Sequence, residues 1–401
     1  MSDSSSKHQN QPRVLLLGND DRVILAVARG LGRNGIAVHV GWCEPESPAL
    51  RSRYIAASHH IAAYRPDTWD WVNDLNRLVD AGGYELVIPC NDFAVVPLQF
   101  HRDRLTNSTP WYLIDDQHFQ ITFDKIKSRR LAQSSQVPVP DQIDLTAEQI
   151  RSWMTSVSGD CPQDQALNFP AFLKPVSSVT QDQVGSKRVA CRVENKDELR
   201  SQLAMNEWSD GCVVQSVFRG SGVGVEVLAH EGNVLLQMQH RRLRETVDGG
   251  STYRETIDPI PELTRATEAM VQKISYTGIA MFEYRYCFET KSWVFLEINA
   301  RFWGSLPLAI ASGINFPWAL YQMLIKGRRE FDWVPRARCR CRNLIRDLRA
   351  YRKQRDAAFG AGHLFTGRDH LDFFSIDDWR PQWSELVTLS KSQVARLVGN
   401  R

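Results

Sequence analysis

Three things are scarce in this 401-residue sequence: net charge, unbroken apolar runs and closely paired cysteines. Each scarcity removes a class of protein. With 49 Lys+Arg against 46 Asp+Glu, a net charge of +3 is too mild to hold a polyanion by its field, so nucleic acid is not an expected partner. The eight cysteines (43, 90, 161, 191, 212, 287, 339 and 341) form no CxxC pair and have no histidine-rich neighbour at zinc spacing. They read as reduced thiols. Cys339 and Cys341, the one close pair, sit in a basic stretch of helical character. The most apolar region, Trp303–Ile325, is interrupted by Pro307, Asn315 and Pro317 and is expected to form two packed helices, with no membrane span. The opening residues MSDSSSKHQNQPR lack an apolar h-region, which predicts a disordered lead over 1–12 in place of a signal peptide, and a cytoplasmic protein. The dinucleotide fingerprint G-x-G-x-x-G is also missing after the first apolar strand. The turn there carries Asp20 and Asp21, whose charge repels a pyrophosphate, and this argues against a nicotinamide cofactor and an oxidoreductase.

What the sequence does contain is alternation. Apolar runs at Arg13–Gly18, Ile36–Trp42, Glu85–Cys90 and Trp111–Ile114 are separated by helical patterns ending near Arg33 and spanning Thr68–Ala81 and Asp92–Arg104. Strands alternating with helices at this spacing predict βαβ units and a parallel sheet. Ligand binding at the carboxyl ends of its strands points to Asn19, Asp20, Asn91 and Asp92. Further on, strands are expected at Phe169–Pro175, Arg188–Val193, Cys212–Val217, Val225–His230 and Val234–His240, with a polar, serine-bearing loop over 177–187. Gly220-Ser-Gly-Val-Gly224 reads as a lead into the later strands. From Arg336 to Gln354 the chain reads as a basic helix with a solvated face. The fold class expected is α/β followed by α+β.

Gly278–Arg301 reads as a hairpin. Ala280, Phe282, Tyr284 and Tyr286 alternate onto one face, with Met281, Glu283, Arg285 and Cys287 on the other. In the return strand Val294, Leu296 and Ile298 alternate against Phe295, Glu297, Asn299 and Arg301. A three-residue turn at Glu289–Lys291 pairs Phe288 with Ser292 and sets Glu283 opposite Glu297. Like charges in that relation destabilise a hairpin unless something positive lies between them. Two carboxylates with Asn299 make an all-oxygen set suited to a hard divalent cation such as Mg²⁺, and Arg301 continues the face. The competing reading is an exposed hairpin face on which charges simply alternate outward.

Taken in order, several pieces resemble an ATP-grasp enzyme of the branch that includes biotin carboxylase and carbamoyl phosphate synthetase. They are Asp124-Lys125 opening a helix toward Val137-Pro-Val-Pro140, Phe169–Pro175 with Lys174, the Val213-Val214-Gln215 strand, and Glu283 and Glu297 followed by Ile298-Asn299-Ala300-Arg301. The resemblance covers residues 13–325 and implies four regions: a lead (1–12), an N-terminal Rossmann-like parallel-sheet domain (13–122), an ATP-grasp domain (123–326, lid at 170–212) and a helical C-terminal region (327–401). It implies that Lys125 and Lys174 contact ATP phosphates, with Lys187 in a lid loop that is less glycine-rich than usual. The strand at Gln215 and Val217 would be the hinge that pairs with adenine. A carboxylate for the ribose is expected after the hinge, where this chain has Gly222, with Glu226 as a weaker substitute. Glu283, Glu297 and Asn299 would bind Mg²⁺, or Mn²⁺, beside ATP, and Arg301 and Lys174 would be catalytic.

Gln239–Glu245 and Gly249–Glu255 form a dense polar constellation resembling an uncharacterised bacterial branch of carboxylate–amine ligase-like proteins. Arginine suits bidentate capture of a carboxylate or phosphate, so Arg241, Arg244 and Arg254 are the expected substrate residues. A solvated charged loop is the alternative, and His240 reads as a capped strand end. The expectation is an ADP-forming ligase that joins a small-molecule carboxylate to an amine through an acyl phosphate, with homodimers common in the family. The rivals are a bicarbonate-activating carboxylase and a nucleotide-binding protein without turnover.

Overall fold

Apolar runs only four or five residues long are buried on both faces when they lie in the middle of a parallel sheet, and the first ninety residues follow that pattern. The computed structural model describes residues 11–155, 167–184, 188–205, 208, 210–246, 250–354 and 369–388. Two compact units are present, one comprising Met1–Leu113, Ser251–Ile257 and Arg301–Arg401, the other Ile114–Gly250 and Asp258–Ala300. The expected lead lies almost wholly outside the described residues.

The first unit begins with β1 (Arg13–Leu17), α1 (Asp21–Gly32), β2 (Ala37–Gly41), β3 (Ile55–His59), α2 (Asp70–Gly82), β4 (Leu86–Pro89) and α3 (Asp92–Phe100). The strands are parallel in the order β3-β2-β1-β4. The chain reverses direction across the sheet between β1 and β4, so the loops after these strands diverge, as at a topological switch point. Asp20 caps α1, its Oδ1 accepting from the N–H groups of Arg22 (3.1 Å) and Val23 (3.3 Å), which accounts for an acidic turn where a dinucleotide domain has glycines. One strand is added to those expected from sequence and one is removed. Ile55–His59 is an edge strand of small, alternately exposed residues with too little apolar character to show as a period. Trp111–Ile114 contributes only a single bridge, Trp111 to Val87, and no strand.

The second unit holds α4 (Asp116–Thr122), α5 (Lys125–Ser134), β5 (Gln142–Leu145), α6 (Ala147–Thr155), β6 (Ala171–Pro175), β7 (Cys191–Val193), α7 (Lys196–Met205), β8 (Cys212–Ser216), β9 (Ser221–His230) and β10 (Asn233–Glu245). After β11 (Ser251–Thr256), which belongs to the first unit, it continues with α8 (Pro261–Lys273), β12 (Gly278–Tyr286) and β13 (Trp293–Asn299). Its smaller sheet is antiparallel in the order β5-β8-β6-β7. Leu145, Leu173 and Val214 on one face of this sheet pack with Ile150, Trp153, Leu199 and Leu203 from α6 and α7. In the larger sheet the unit's strands run β13-β12-β9-β10, also antiparallel.

The first unit is completed by α9 (Leu306–Ser312), α10 (Phe316–Lys326), β14 (Arg340–Arg342), α11 (Leu344–Gln354) and β15 (His370–Leu371). Helices α9 and α10 meet at 86° and pack on α1, as the proline-broken apolar stretch implied. Among the described residues no helix is long and apolar enough to cross a membrane. The stretch expected to be helical from Arg336 starts instead as a turn and strand, with β14 pairing antiparallel to β11 and parallel to β15. The Arg-Cys-Arg-Cys alternation of residues 338–341 suits a strand, because Cys339 and Cys341 bury while Arg340 stays half-exposed.

Candidate functional site

The hairpin β12–β13 does place Glu283 opposite Glu297, but by a different route from the one expected. Near the turn Tyr284 pairs with Phe295 and Tyr286 with Trp293, one residue off the expected register. Cys287 donates its N–H to Ser292 O, and Lys291, in the left-handed region at φ 58°, donates to Cys287 O, so the loop holds four residues. A bulge at Leu296 then adds one residue to β13 and restores the pairing of Glu283 with Glu297 and of Phe282 with Ile298. The two offsets cancel at the carboxylates. The bulge also turns Phe295 onto the aromatic face, beside Tyr284, and off the face of Glu297. Phe295 donates its N–H to Pro138 O, which ties the edge strand to the Val-Pro-Val-Pro segment.

The strand order extends that face. The ladder aligns Glu297, Glu283, Gly224 and His240 in one row; two residues toward the turn Arg285 pairs with Gly222, which faces the Arg242 side chain. Gly222 and Gly224 lie inside β9 and do not precede it, and both clear the surface. A Cβ at Gly222 would lie 2.4 Å from Glu245 Oε1 and 2.7 Å from Arg242 Cδ; one at Gly224 would lie 2.4 Å from His240 Cε1. Over this cleared strip Arg242 reaches past β9 to Glu283, with Nη2 to Oε2 at 2.7 Å. Its Nη1 lies 3.5 Å from Glu245 Oε1, while Arg285 Nη1 meets Glu245 Oε2 at 2.8 Å. Burial alone would lower the Arg242 pKa, but Glu283 and Glu245 outweigh it and hold the guanidinium firmly charged. His240, expected at a strand end, is buried and meets Glu226 through Nδ1 at 2.7 Å. Glu226 has no exposed surface, so it is not presented to a ribose.

Asn299 donates through Nδ2 to Glu283 Oε1 (3.2 Å) and Glu297 Oε1 (3.5 Å). Lys125 opens α5 behind the cap of Asp124 and brings Nζ to 3.9 Å from Glu297 Oε2 and 3.2 Å from Ser178 Oγ. Its N–H donates to Val176 O, which seats the helix start against the segment after β6. The two facing carboxylates are thus flanked by Arg242 on one side and Lys125 on the other. The donor set fits a hard cation: two carboxylates and an amide, whose oxygen takes the inner position after a flip. Among the described residues no three His, Cys, Asp or Glu side chains converge as a metal site, so the amide is needed to complete a trio.

Lys174 stands on the smaller sheet, on the face opposite the α6–α7 core. Its Nζ donates to Gln215 Oε1 at 2.6 Å; Gln215 Nε2 donates to Gln142 Oε1 at 3.0 Å, and Gln142 Nε2 to Asp144 Oδ1 at 2.7 Å. The Gln215 side chain therefore positions Lys174. Burial brings the Lys174 amine down to about 8, with Glu297 opposing the shift and Lys125 adding to it. Val217 donates its N–H to Pro170 O. Lys187 lies outside the described residues, as do Gly249 and the last part of the 177–187 loop.

Arg241 and Arg244, two of the three expected substrate arginines, lie on opposite faces of β10. Arg244 is buried on the face of Arg242. Arg241 points to the opposite face, its guanidinium 5.5 Å from the Phe288 ring centre. Arg254 belongs to the first unit, has no exposed surface and pairs with Asp372. A side chain enclosed in that way is not offered to a diffusing molecule. Arg301, also in the first unit, makes a two-pronged pair with Asp92, Nε to Oδ1 at 2.8 Å and Nη2 to Oδ2 at 3.1 Å. Beside it at the switch point, Asn91 Nδ2 donates to Asn19 Oδ1 at 2.6 Å. Sequence reading singled out the Gln239–Glu245 and Gly220–Gly224 stretches but did not assign Arg242, Glu245, Gly222 or Gly224 to the site. Their alternation was visible, but not that β9 separates β10 from β12.

Residues 209–344 match a family described as ATP-grasp in the biosynthetic pathway with Ter operon. The chain is similar to a D-aspartate ligase of Enterococcus faecium (strain Aus0004), 22% identical over 252 residues, or 60% of this chain. The match spans 58% of that relative's length. Among solved structures, an L-amino acid ligase from Bacillus licheniformis superposes with a TM-score of 0.55 at 13% identity, covering 79% of this chain and 74% of that one. The biotin carboxylase domain of the 2-oxoglutarate carboxylase from Hydrogenobacter thermophilus, solved with MgADP and bicarbonate, gives 0.60 at 15% identity, covering 83% and 74%. At these identities the structural likeness establishes the fold.

Proposed function

We propose, on the premise that this chain has the ATP-grasp fold, that it is an ADP-forming ligase activating a small carboxylate as an acyl phosphate for attack by an amine. The observation that carries this reading is the pair Glu283–Glu297 with Asn299, flanked by Lys125 and Arg242. Glu283, Glu297 and Asn299 would hold Mg²⁺ or Mn²⁺, which supplies charge neutralisation for the phosphates of ATP. Lys125 and Lys174 are the point charges that meet those phosphates, and Gln215 fixes where the Lys174 ammonium stands. Arg242 holds Glu283 in place, Nη2 to Oε2 at 2.7 Å. A carboxylate oxygen attacks that group, ADP departs, and the amine nitrogen then displaces phosphate from the acyl carbon. Neither step needs a covalent enzyme nucleophile. The names of the two ligase relatives, one for D-aspartate and one for L-amino acids, favour an amino acid as one of the two substrates.

ADP release tests the reading. With Mg·ATP and pools of carboxylates and amino acids, ADP should appear only when both a carboxylate and an amine are supplied. Release driven by bicarbonate alone would replace it with a carboxylase, and nucleotide binding without release in any pool with a non-catalytic binder.

A pH dependence follows from Lys174. Its ammonium is charged below about 8 and neutral above, whereas the phosphates of ADP change little over pH 7 to 9. Affinity for MgADP, measured by calorimetry, should therefore fall about tenfold from pH 7 to 9 as the charged fraction falls. Lys174→Arg, which stays charged, should flatten the profile.

A further inference from the structure

A cleft of about 610 Å³ opens in the first unit beside β14, lined chiefly by Arg336, Arg338, Arg340, Asp369 and His370. Its volume is that of a small-molecule site. Its charge is lopsided. Arg340 is neutralised by Glu255, Nε to Oε2 at 2.7 Å, and Asp369 by Arg342. Tyr253 donates its hydroxyl to Asp369 at 3.2 Å, so that carboxylate is already engaged. Arg336 and Arg338 make no ion pair or side-chain hydrogen bond with the described residues, so among those residues the two guanidiniums have no counter-charge bound to them. Burial and the charge of Arg336 hold His370 below its ordinary value, so at pH 7 the ring offers nitrogens for hydrogen bonding and adds no charge.

The turn carrying these arginines is held at both ends. Arg336 donates its N–H to Ser312 O at 2.8 Å and accepts from Thr256 Oγ1 at 2.7 Å. Cys339 donates its N–H to the same Thr256 oxygen at 2.9 Å, and its carbonyl accepts from Thr256 N–H at 2.9 Å. Between those clamps Arg338 takes φ 52°, a conformation that an unbranched non-glycine residue adopts only when its surroundings impose it. The arginines therefore project from a fixed turn over a concave floor. Guanidinium forks match the paired oxygens of phosphate and carboxylate groups.

We propose that this cleft is a binding site for a small polyanion, gripped by Arg336 and Arg338 through its phosphoryl or carboxylate oxygens. The test uses the full-length protein without Mg²⁺, labelled by phenylglyoxal and mapped by peptide mass spectrometry in the presence of pyrophosphate, citrate or sodium chloride at matched ionic strength. At about ten times the dissociation constant, pyrophosphate or citrate should slow labelling of Arg336 and Arg338 about tenfold. Arg77, exposed on α2, should label unchanged. Protection by one anion alone identifies which oxygen chemistry the cleft takes. No protection by either, or equal protection by chloride, overturns the proposal.

Discussion

Glu297→Gln should lower ADP formation by at least about a hundredfold, the scale on which loss of one charge-stabilising group in a catalytic site acts, while leaving the protein as stable as before or more so. The second half of that expectation sets it apart from ordinary damage. Glu297 lies directly opposite Glu283, where like charges destabilise a sheet. Neutralising one carboxylate relieves that repulsion, and glutamine keeps the size and the hydrogen bond to Asn299. Lys125 loses a partner at 3.9 Å but keeps Ser178 at 3.2 Å. A substitution that raises or preserves the melting temperature and removes turnover marks a residue kept for chemistry at a cost in stability. Undiminished turnover in this variant would sink the metal-site assignment, and the hairpin would then be an alternating charged face. The Mg²⁺ concentration giving half-maximal rate provides a second readout, expected to rise in any residual activity.

Arg254→Leu should destabilise the protein by about 3–5 kcal/mol, the usual cost of leaving one charge of a buried pair unmatched. Arg254 and Asp372 have no exposed side-chain surface and face each other across the first unit. The same region holds a second buried pair, Arg29 with Asp378 at 2.9 Å, whose guanidinium also donates to Phe373 O and Asp378 O. Together they tie residues 372–378 to α1 and β11. Removing both charges, as in Arg254→Leu with Asp372→Leu, should restore much of the loss, because an apolar pair carries no unmet desolvation. A denaturant double-mutant cycle measures this directly. If Arg254 instead bound substrate, the single variant would keep its stability and show a raised KM.

The chemistry-bearing hairpin was legible because both of its strands are local in sequence. Alternation assigns faces within a strand, and a short loop constrains which residues meet. Even so, loop length and bulge each missed the expected register by one residue, and Glu283 met Glu297 only because the offsets cancel. Leu296 gives no sign in sequence that it will be the extra residue, since a bulge is chosen by the strand's neighbours: here Phe295 turns to Tyr284, and its N–H to Pro138.

By itself the sequence determined the α/β and α+β class, the broken apolar helices α9 and α10, the lysine before the final proline of β6, and the carboxylates and amide of the hairpin. All of these follow from periodicity and from residue chemistry at short range. Only the tertiary structure decided which cation faces Glu283. Arg242 holds that position because β9 lies between β10 and β12 and because two glycines clear the path across it. It also decided that Gln215 holds Lys174, that Arg241 and Arg244 take opposite faces of β10, and that Arg254 is enclosed against Asp372. A strand's own pattern says which side chains share its face. Which strands become neighbours depends on the packing of segments far apart in sequence, and no local period encodes that.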